Sequence, residues 1–295
     1  MGAIYRAKLT HFYALSKPIT EIFPHSRNFT KNAYLYGMKY FATVLLALAA
    51  VSAAGAAPRV AEVSEPAMRV YLPDPEIASG KAVVCCPGGG YAMKAMAHEG
   101  YDWAEYFTDR GIALAVVDYR LPDHSPARVM GDIDRAFEVM ADSAAVWGFS
   151  PDSIGIMGSS AGGHLAATMS THPEARCHPA FQLLFYPVIS LDSAITHAGT
   201  RHNLLPTDAT DADARRFSAD LNVSASTPPA FVVHCGDDDI VPVENALRYY
   251  SALQRAGVNA TMLIYPRGGH GWGYSGNFER RALLLDEIDT WLKGL

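Results

Sequence analysis

The chain has 295 residues, 49% of them hydrophobic and 18% charged, which is the composition of an ordinary globular protein with a sizeable core. Its length fits one large α/β domain or two small ones. Residues 1–56 hold six Lys/Arg and one Glu, so the remainder carries 18 basic against 29 acidic groups, net −11, and nucleic acid is not an expected partner.

Residues 38–57 read MKYFATVLLALAAVSAAGAA: a Met, a Lys, an apolar run, then small residues. That is the pattern of a secretory signal peptide. The apolar run from Phe41 to Ala54 is 14 residues and alanine-rich, whereas a membrane span needs roughly 20 strongly apolar residues. Ala54 and Ala56 satisfy the small-x-small rule for a cut after Ala56, so residues 38–56 are expected to be the signal and 57–295 the mature chain, exported to the periplasm or outside the cell. No membrane association is expected once the signal is removed. Residues 1–37 precede the Met that would begin such a signal and show neither an apolar period nor helix caps; they read as an upstream region with a start assigned too early.

From residue 67 onward, short apolar runs alternate with stretches of helical period. The runs are AMRVYL, KAVVCC, IALAVVD, SIGIMG, FQLLFY, AFVVHC and ATMLIY. Candidate helices cover 97–110, 126–147, 161–171 and 243–256, and a last one, 277–293, places Phe278, Ala282, Leu285, Ile288 and Leu292 on one face. This alternation predicts a mostly parallel sheet covered by helices on both faces, an α/β fold in a single domain over 57–295. In such sheets the reactive groups gather beyond the carboxyl ends of the strands. Cys85, Cys86, Cys177 and Cys235 fit no zinc spacing. Three of them lie in or at the end of strand-like runs, where thiols pack as small hydrophobes, and adjacent Cys85 and Cys86 point to opposite faces. Their pairing stays open.

The strand ends carry glycine and acid. PGGGY follows Cys86, SSAGG follows SIGIMG, GDDDIVP follows AFVVHC, and RGGHGWG follows ATMLIYP. Gly158-Ser159-Ser160-Ala161-Gly162 is the one frame of its stretch that satisfies Gly-x-Ser-x-Gly, set between a predicted strand and a predicted helix, so Ser160 is the candidate nucleophile. A serine hydroxyl needs a base within hydrogen-bond reach and an acid to orient that base, in the chain order Ser, Asp or Glu, His. Of eleven histidines, His270 follows the last strand in a loop of glycines. His164 sits within the helix after the elbow, His234 within a buried strand, and His98 and His197 in loops. Asp237, Asp238 and Asp239 are three consecutive candidates for the acid. The Pro87–Tyr91 loop brings unobstructed N–H groups near the serine, and Ala161 supplies another donor for an oxyanion.

Taken together, CPGGGY, HEGYDWAEYF, VVDYRLP, GSSAGGHLA, FYPVIS, THAGTRHNLL, DDDIVPVENALRYY and YPRGGHGWG make the chain from about 68 to 293 resemble α/β-hydrolases of the secreted bacterial esterase group, the acetylxylan or carbohydrate esterases. The resemblance implies the α/β-hydrolase fold and deacylation of plant polysaccharide esters, with no metal and no organic cofactor. It places the acid at Asp238, through the frame Asp-x-x-Val-Pro, with Asp237 in reserve. Lipase-like relatives carry His before the three glycines where this chain has Pro87, so only the glycine roles carry over: Gly89 and Gly90 as oxyanion donors beside Ala161. The 188–229 segment is expected to form a small lid in which His197, Arg201 and Asn203 face a sugar, and Tyr91 is expected to wall the pocket. Two rivals remain. One is a prolyl-oligopeptidase-like serine peptidase, whose usual β-propeller 295 residues are expected to leave no room for; the other is a non-catalytic glycan-binding relative.

Overall fold

A computed structural model describes residues 59–275 and 277–295. The expected signal peptide and the region upstream of it lie outside the described residues. Eight strands form one sheet in the order β1-β2-β4-β3-β5-β6-β7-β8. They are β1 (Arg59–Ser64), β2 (Ala67–Leu72), β3 (Gly80–Cys86), β4 (Ala113–Val117), β5 (Phe149–Ser159), β6 (Gln182–Phe185), β7 (Ala230–Cys235) and β8 (Ala260–Tyr265). The pairs β1/β2 and β2/β4 are antiparallel, and every pair from β4 to β8 is parallel.

The central strands are apolar at nearly every position because helices cover both faces. Against one face pack α2 (Pro126–Trp147), α3 (Ser160–Thr171) and α6 (Glu244–Arg255), through a core that includes Val84, Cys86, Ile156, Ile133, Leu165 and Tyr249. Against the other pack α1 (Ala104–Thr108) and α7 (Arg281–Lys293), around Val83, Cys85, Phe185, Trp103, Phe107 and Ile288. Cys85 and Cys86 thus enter opposite cores, and all four cysteines are free and buried. Their separation follows from the two-residue period of a strand. Among the described residues no helix is long and apolar enough to cross a membrane.

Three elements differ from expectation. β1 is added ahead of the expected strands: its sequence RVAEVS alternates partly buried and exposed positions at the sheet edge and so lacks the apolar run of an inner strand. The expected helix 97–110 contracts to a 3-10 turn, Tyr101–Trp103, and α1, because the backbone leaves the helical region at Gly100 (φ −134°, ψ −88°), next to Glu99, whose carboxylate accepts the Gly88 N–H. The last helix starts at Arg281 rather than 277; Phe278 stacks on Trp272 before the helix begins, and the buried stripe is Leu284, Ile288 and Leu292. The 188–229 segment folds as α4 (Ala198–Leu204), α5 (Asp211–Arg216) and a 3-10 turn, Ala219–Leu221. A capping box between Thr210 and Asp213 fixes the start of α5.

Candidate active site

β5 runs extended to Ser159, and the chain then reverses into α3 with Ser160 at φ +54°. A side chain other than glycine in this left-handed region costs about 1–3 kcal/mol, so the surroundings must enforce it. They do so by close packing. A Cβ on Gly158 would lie 2.1 Å from the Gly162 carbonyl oxygen, and one on Gly162 would lie 2.0 Å from that of Cys86. Only glycine permits strand, turn and helix to approach this closely. Ser159 is fully buried, while Ser160 keeps 6% of its surface exposed at the sheet's carboxyl edge.

Three loops meet there. The Ser160 hydroxyl donates to His270 Nε2 across 2.8 Å, and His270 Nδ1–H donates to Asp238 Oδ2 across 2.7 Å. These two contacts assign the imidazole tautomer. Asp238 Oδ1 accepts the N–H groups of Ile240 (3.0 Å) and Val241 (2.9 Å), the short turn that aims the carboxylate at the histidine. Burial by itself raises the Asp238 pKa, but hydrogen bonds from His234, His270 and Val241 outweigh it and hold the group well below the usual carboxylate range. Asp237 points elsewhere: its carboxylate accepts Gly269 N–H at 2.8 Å, which braces the loop that carries His270.

His234 is a contact that sequence reasoning placed only in a buried strand. Its Nε2 lies 3.2 Å from Asp238 Oδ2 and donates to the Val241 carbonyl at 2.9 Å, with the side chain fully buried. A titratable residue inside AFVVHC, four positions before the acid, was the signal available.

The Pro87–Gly90 loop passes directly beside the elbow; a Cβ on Gly88 would meet Ser159 O at 2.5 Å and Ser160 Cβ at 2.9 Å. Each of its peptides is held from behind. Pro87 O accepts the Tyr119 hydroxyl at 2.5 Å, Gly88 O accepts Ala95 N–H at 2.8 Å, Gly89 O accepts Ala92 and Met93 N–H at 3.1 Å, and Gly90 O accepts the Asn203 amide at 2.8 Å. In a planar trans peptide the N–H points opposite the carbonyl, so anchoring the Gly88 and Gly89 carbonyls turns the N–H groups of Gly89 and Gly90 the other way. Among the described residues those two N–H groups and that of Ala161, at the start of α3, have no acceptor. Gly88 N–H is taken by Glu99.

The expected substrate contacts divide. His197 caps α4, its Nδ1 accepting Thr200 N–H at 3.2 Å, and its ring stands beside Gly90. Burial lowers its pKa, and repulsion from the nearby His270 ring, when that ring is protonated, lowers it further. Nε2 is left as the donor. Asn203 spends its amide on Gly90 O and so serves the loop. Arg201 donates to Leu191 O at 2.8 Å and lines a cavity of about 250 Å³ with Ser193, Thr196, His202 and Thr207. Tyr91 does not wall the pocket. Its φ of +57° turns the ring into the core, where it is 2% exposed and its hydroxyl donates to His164 Nδ1 at 3.0 Å. Among the described residues no three His, Cys, Asp or Glu side chains converge as a metal site.

Comparison with known proteins agrees with this architecture. The chain is 41% identical over 226 residues to an acetylxylan esterase of Xylanibacter ruminicola, and 31% identical over 223 residues to endo-1,4-beta-xylanase B of Butyrivibrio fibrisolvens. These alignments cover 75% and 70% of this chain but 47% and 34% of the relatives, so the chain spans about half the length, or less, of these curated relatives. The crystal structure of an acetyl ester-xyloside bifunctional hydrolase from Caldicellulosiruptor lactoaceticus superposes with a TM-score of 0.71 at 29% identity, over 77% of this chain and 88% of that one. Thermogutta terrifontis esterase 2 superposes with a TM-score of 0.66 at 24% identity over 83% of this chain and 96% of that one, a likeness of fold. With an α/β-hydrolase sheet, a serine elbow at its carboxyl edge and residues 68–253 matching the BD-FAE family model, the chain belongs to the BD-FAE family.

Proposed function

We propose that the chain is a serine esterase that removes short acyl groups, acetyl foremost, from carbohydrate esters such as acetylated xylan. The observation that carries the reading is the unbroken line from Ser160 Oγ through His270 to Asp238, at 2.8 and 2.7 Å, with the serine held at a backbone angle that only a dedicated turn enforces. The acetylxylan esterase of Xylanibacter ruminicola and the acetyl ester-xyloside hydrolase support the substrate class. So does the polar 188–229 segment beside the site.

In this reading Ser160 Oγ attacks the ester carbonyl carbon as its proton passes to His270 Nε2. Asp238 holds the Nδ1–H and stabilises the imidazolium. The N–H groups of Gly89, Gly90 and Ala161 receive the oxyanion. His270 then protonates the departing sugar oxygen, and a water deprotonated by the same imidazole releases acetate from the acyl-serine. His197 Nε2–H, next to Gly90, offers a hydrogen bond to the sugar side of the ester. Residues 38–56 support export, so the working place of the enzyme is the periplasm or the exterior. N-terminal sequencing of the purified protein checks this: a mature start near Ala57 is expected, a chain that keeps residues 38–56 would count against export, and peptides from upstream of Met38 would remove the reading of Met38 as the true start.

The reading is tested by acetate and ferulate release from acetylated xylan and feruloylated oligosaccharides, beside synthetic esters of rising chain length. Acetate release should dominate and Ser160→Ala should lower it on the order of 10⁴-fold or more. A preference for longer acyl chains would remove the polysaccharide deacetylase reading even with the triad at work.

A further inference from the structure

Glu99 has a role that neither the elbow nor the triad accounts for. Its side chain is 4% exposed, and among the described residues the nearest basic group is His98 Nε2, at 4.0 Å. Removing a carboxylate from water is costly, and an apolar side chain would fill the same place more cheaply if packing were all that was required. The carboxylate is instead divided between two loops. Oε2 accepts Gly88 N–H at 2.7 Å, and Oε1 accepts the Tyr186 hydroxyl at 2.8 Å. The Tyr186 oxygen in turn accepts Gly273 N–H at 2.9 Å.

These links tie the donor loop to the loop that carries His270, by way of the end of β6. Gly88 opens the donor loop, and the Pro87–Gly88 peptide is gripped on both edges, by Tyr119 at its oxygen and by Glu99 at its nitrogen. Gly273 closes the turn that follows His270. Tyr186 leaves β6 at φ +36° and lays its ring edgewise on the His270 imidazole, with centroids 4.8 Å apart. The contact is close: a Cβ on Gly88 would lie 2.6 Å from Glu99 Oε2. Moving the carboxylate therefore moves the donor loop against the elbow.

We propose that Glu99 is a positioning residue which sets the oxyanion donors and the His270 ring in register with Ser160 through Gly88 and Tyr186, without touching substrate. This deepens the esterase reading above and rests on it. Removing the carboxylate lets the Gly88 peptide rotate, so the loss should fall on the transition state rather than on ground-state binding.

The test compares wild type with Glu99→Ala, Glu99→Gln and Tyr186→Phe, each checked for native near-UV circular dichroism. Readouts are kcat and KM on a short-chain aryl ester and the affinity for an aryl boronic acid, which forms a tetrahedral anion on the serine. Glu99→Ala should lower kcat by about 10²- to 10³-fold and weaken the boronate in parallel, while KM stays within about threefold. Glu99→Gln, which keeps an acceptor for Gly88, should recover to within about tenfold of wild type. Tyr186→Phe keeps the carboxylate but cuts the link to Gly273, and should lower kcat about tenfold with boronate affinity. A folded Glu99→Ala with kcat and boronate affinity within threefold of wild type overturns the proposal. If Glu99→Ala does not fold, Tyr186→Phe decides by the same criterion, and loss of fold in all three variants overturns it in favour of a purely structural role. A wild type that neither hydrolyses the ester nor is labelled at Ser160 by a phosphonate removes the esterase reading, and this inference with it.

Discussion

His164 should make the stability of this fold fall as the solution turns mildly acidic. The residue lies one turn beyond the elbow, 1% exposed, with Nδ1 accepting the Tyr91 hydroxyl at 3.0 Å and Nε2–H donating to the Phe217 carbonyl at 2.8 Å. Both nitrogens are satisfied only in the neutral ring; a proton on Nδ1 would face a hydroxyl donor. Burial pushes the imidazole from 6.5 down to about 4, the Phe217 carbonyl opposes this, and His172 adds to it. The unfolded chain takes the proton near 6.5 and the folded protein only near 4. The stabilisation is therefore complete above pH 6.5 and is lost as pH falls from there to about 4. At 1.36 kcal/mol per pH unit the loss comes to about 3 kcal/mol. In a domain of this size that lowers Tm by roughly 6–12 °C. Asp238, held below the usual carboxylate range, adds its own loss only below about pH 4 and so lies outside this window. Calorimetry or urea unfolding between about pH 7 and pH 4.5 reads the slope, and His164→Asn, which cannot titrate, isolates it. The variant should be less stable at pH 7 yet flatter with pH. A wild-type stability that is level across this window, or a variant with the wild-type slope, would refute the argument.

Gly88→Ala places a methyl 2.5 Å from Ser159 O and 2.9 Å from Ser160 Cβ; the loop must retreat from the elbow, and kcat should fall about 10²-fold or more while the near-UV spectrum stays native. Asn203→Ala frees the Gly90 carbonyl from its amide partner, and kcat should drop about tenfold with KM nearly unchanged, as steady-state kinetics on a short-chain ester would read. Replacing Asn203 with Asp, a carboxylate acceptor facing the same carbonyl, should do at least as much damage. All four thiols are buried, and burial raises each of their pKa values, that of Cys235 to about 11; native protein should resist iodoacetamide at pH 8 by mass spectrometry, and dithiothreitol should leave Tm unmoved.

Local chemistry made much of the site legible in advance. Inner strands must be apolar throughout when both faces are covered, so β2 to β7 are visible as runs, with ATMLIY marking β8 after them, and the sheet's carboxyl edge follows from their alternation with helices. Gly158, Ser160 and Gly162 are recognisable because the turn needs small residues at fixed spacing, a constraint that acts within five positions. β1 lacks that signal because an edge strand tolerates the mixed pattern RVAEVS, and the helical period over 97–110 continues through Gly100, where the backbone nonetheless leaves the helical region beside Glu99, a residue tied to a backbone group eleven positions away.

Only the folded chain decided where side chains point, since that depends on which groups the sheet order brings opposite them. Of three adjacent aspartates the frame Asp-x-x-Val-Pro singles out Asp238 by resemblance, but only the folded turn from Cys235 to Val241 aims that carboxylate at His270 and leaves Asp237 to brace Gly269. Tyr91 and Asn203 carry polar groups suited to a sugar, yet one is drawn into the core by His164 and the other is held by the Gly90 carbonyl. Sequence spacing determined the kinds of group at each strand end because steric and periodic rules are local. Tertiary packing assigned their partners because a hydrogen bond joins groups by distance in space, and residues 99, 186 and 273 become neighbours only after the strands are laid side by side.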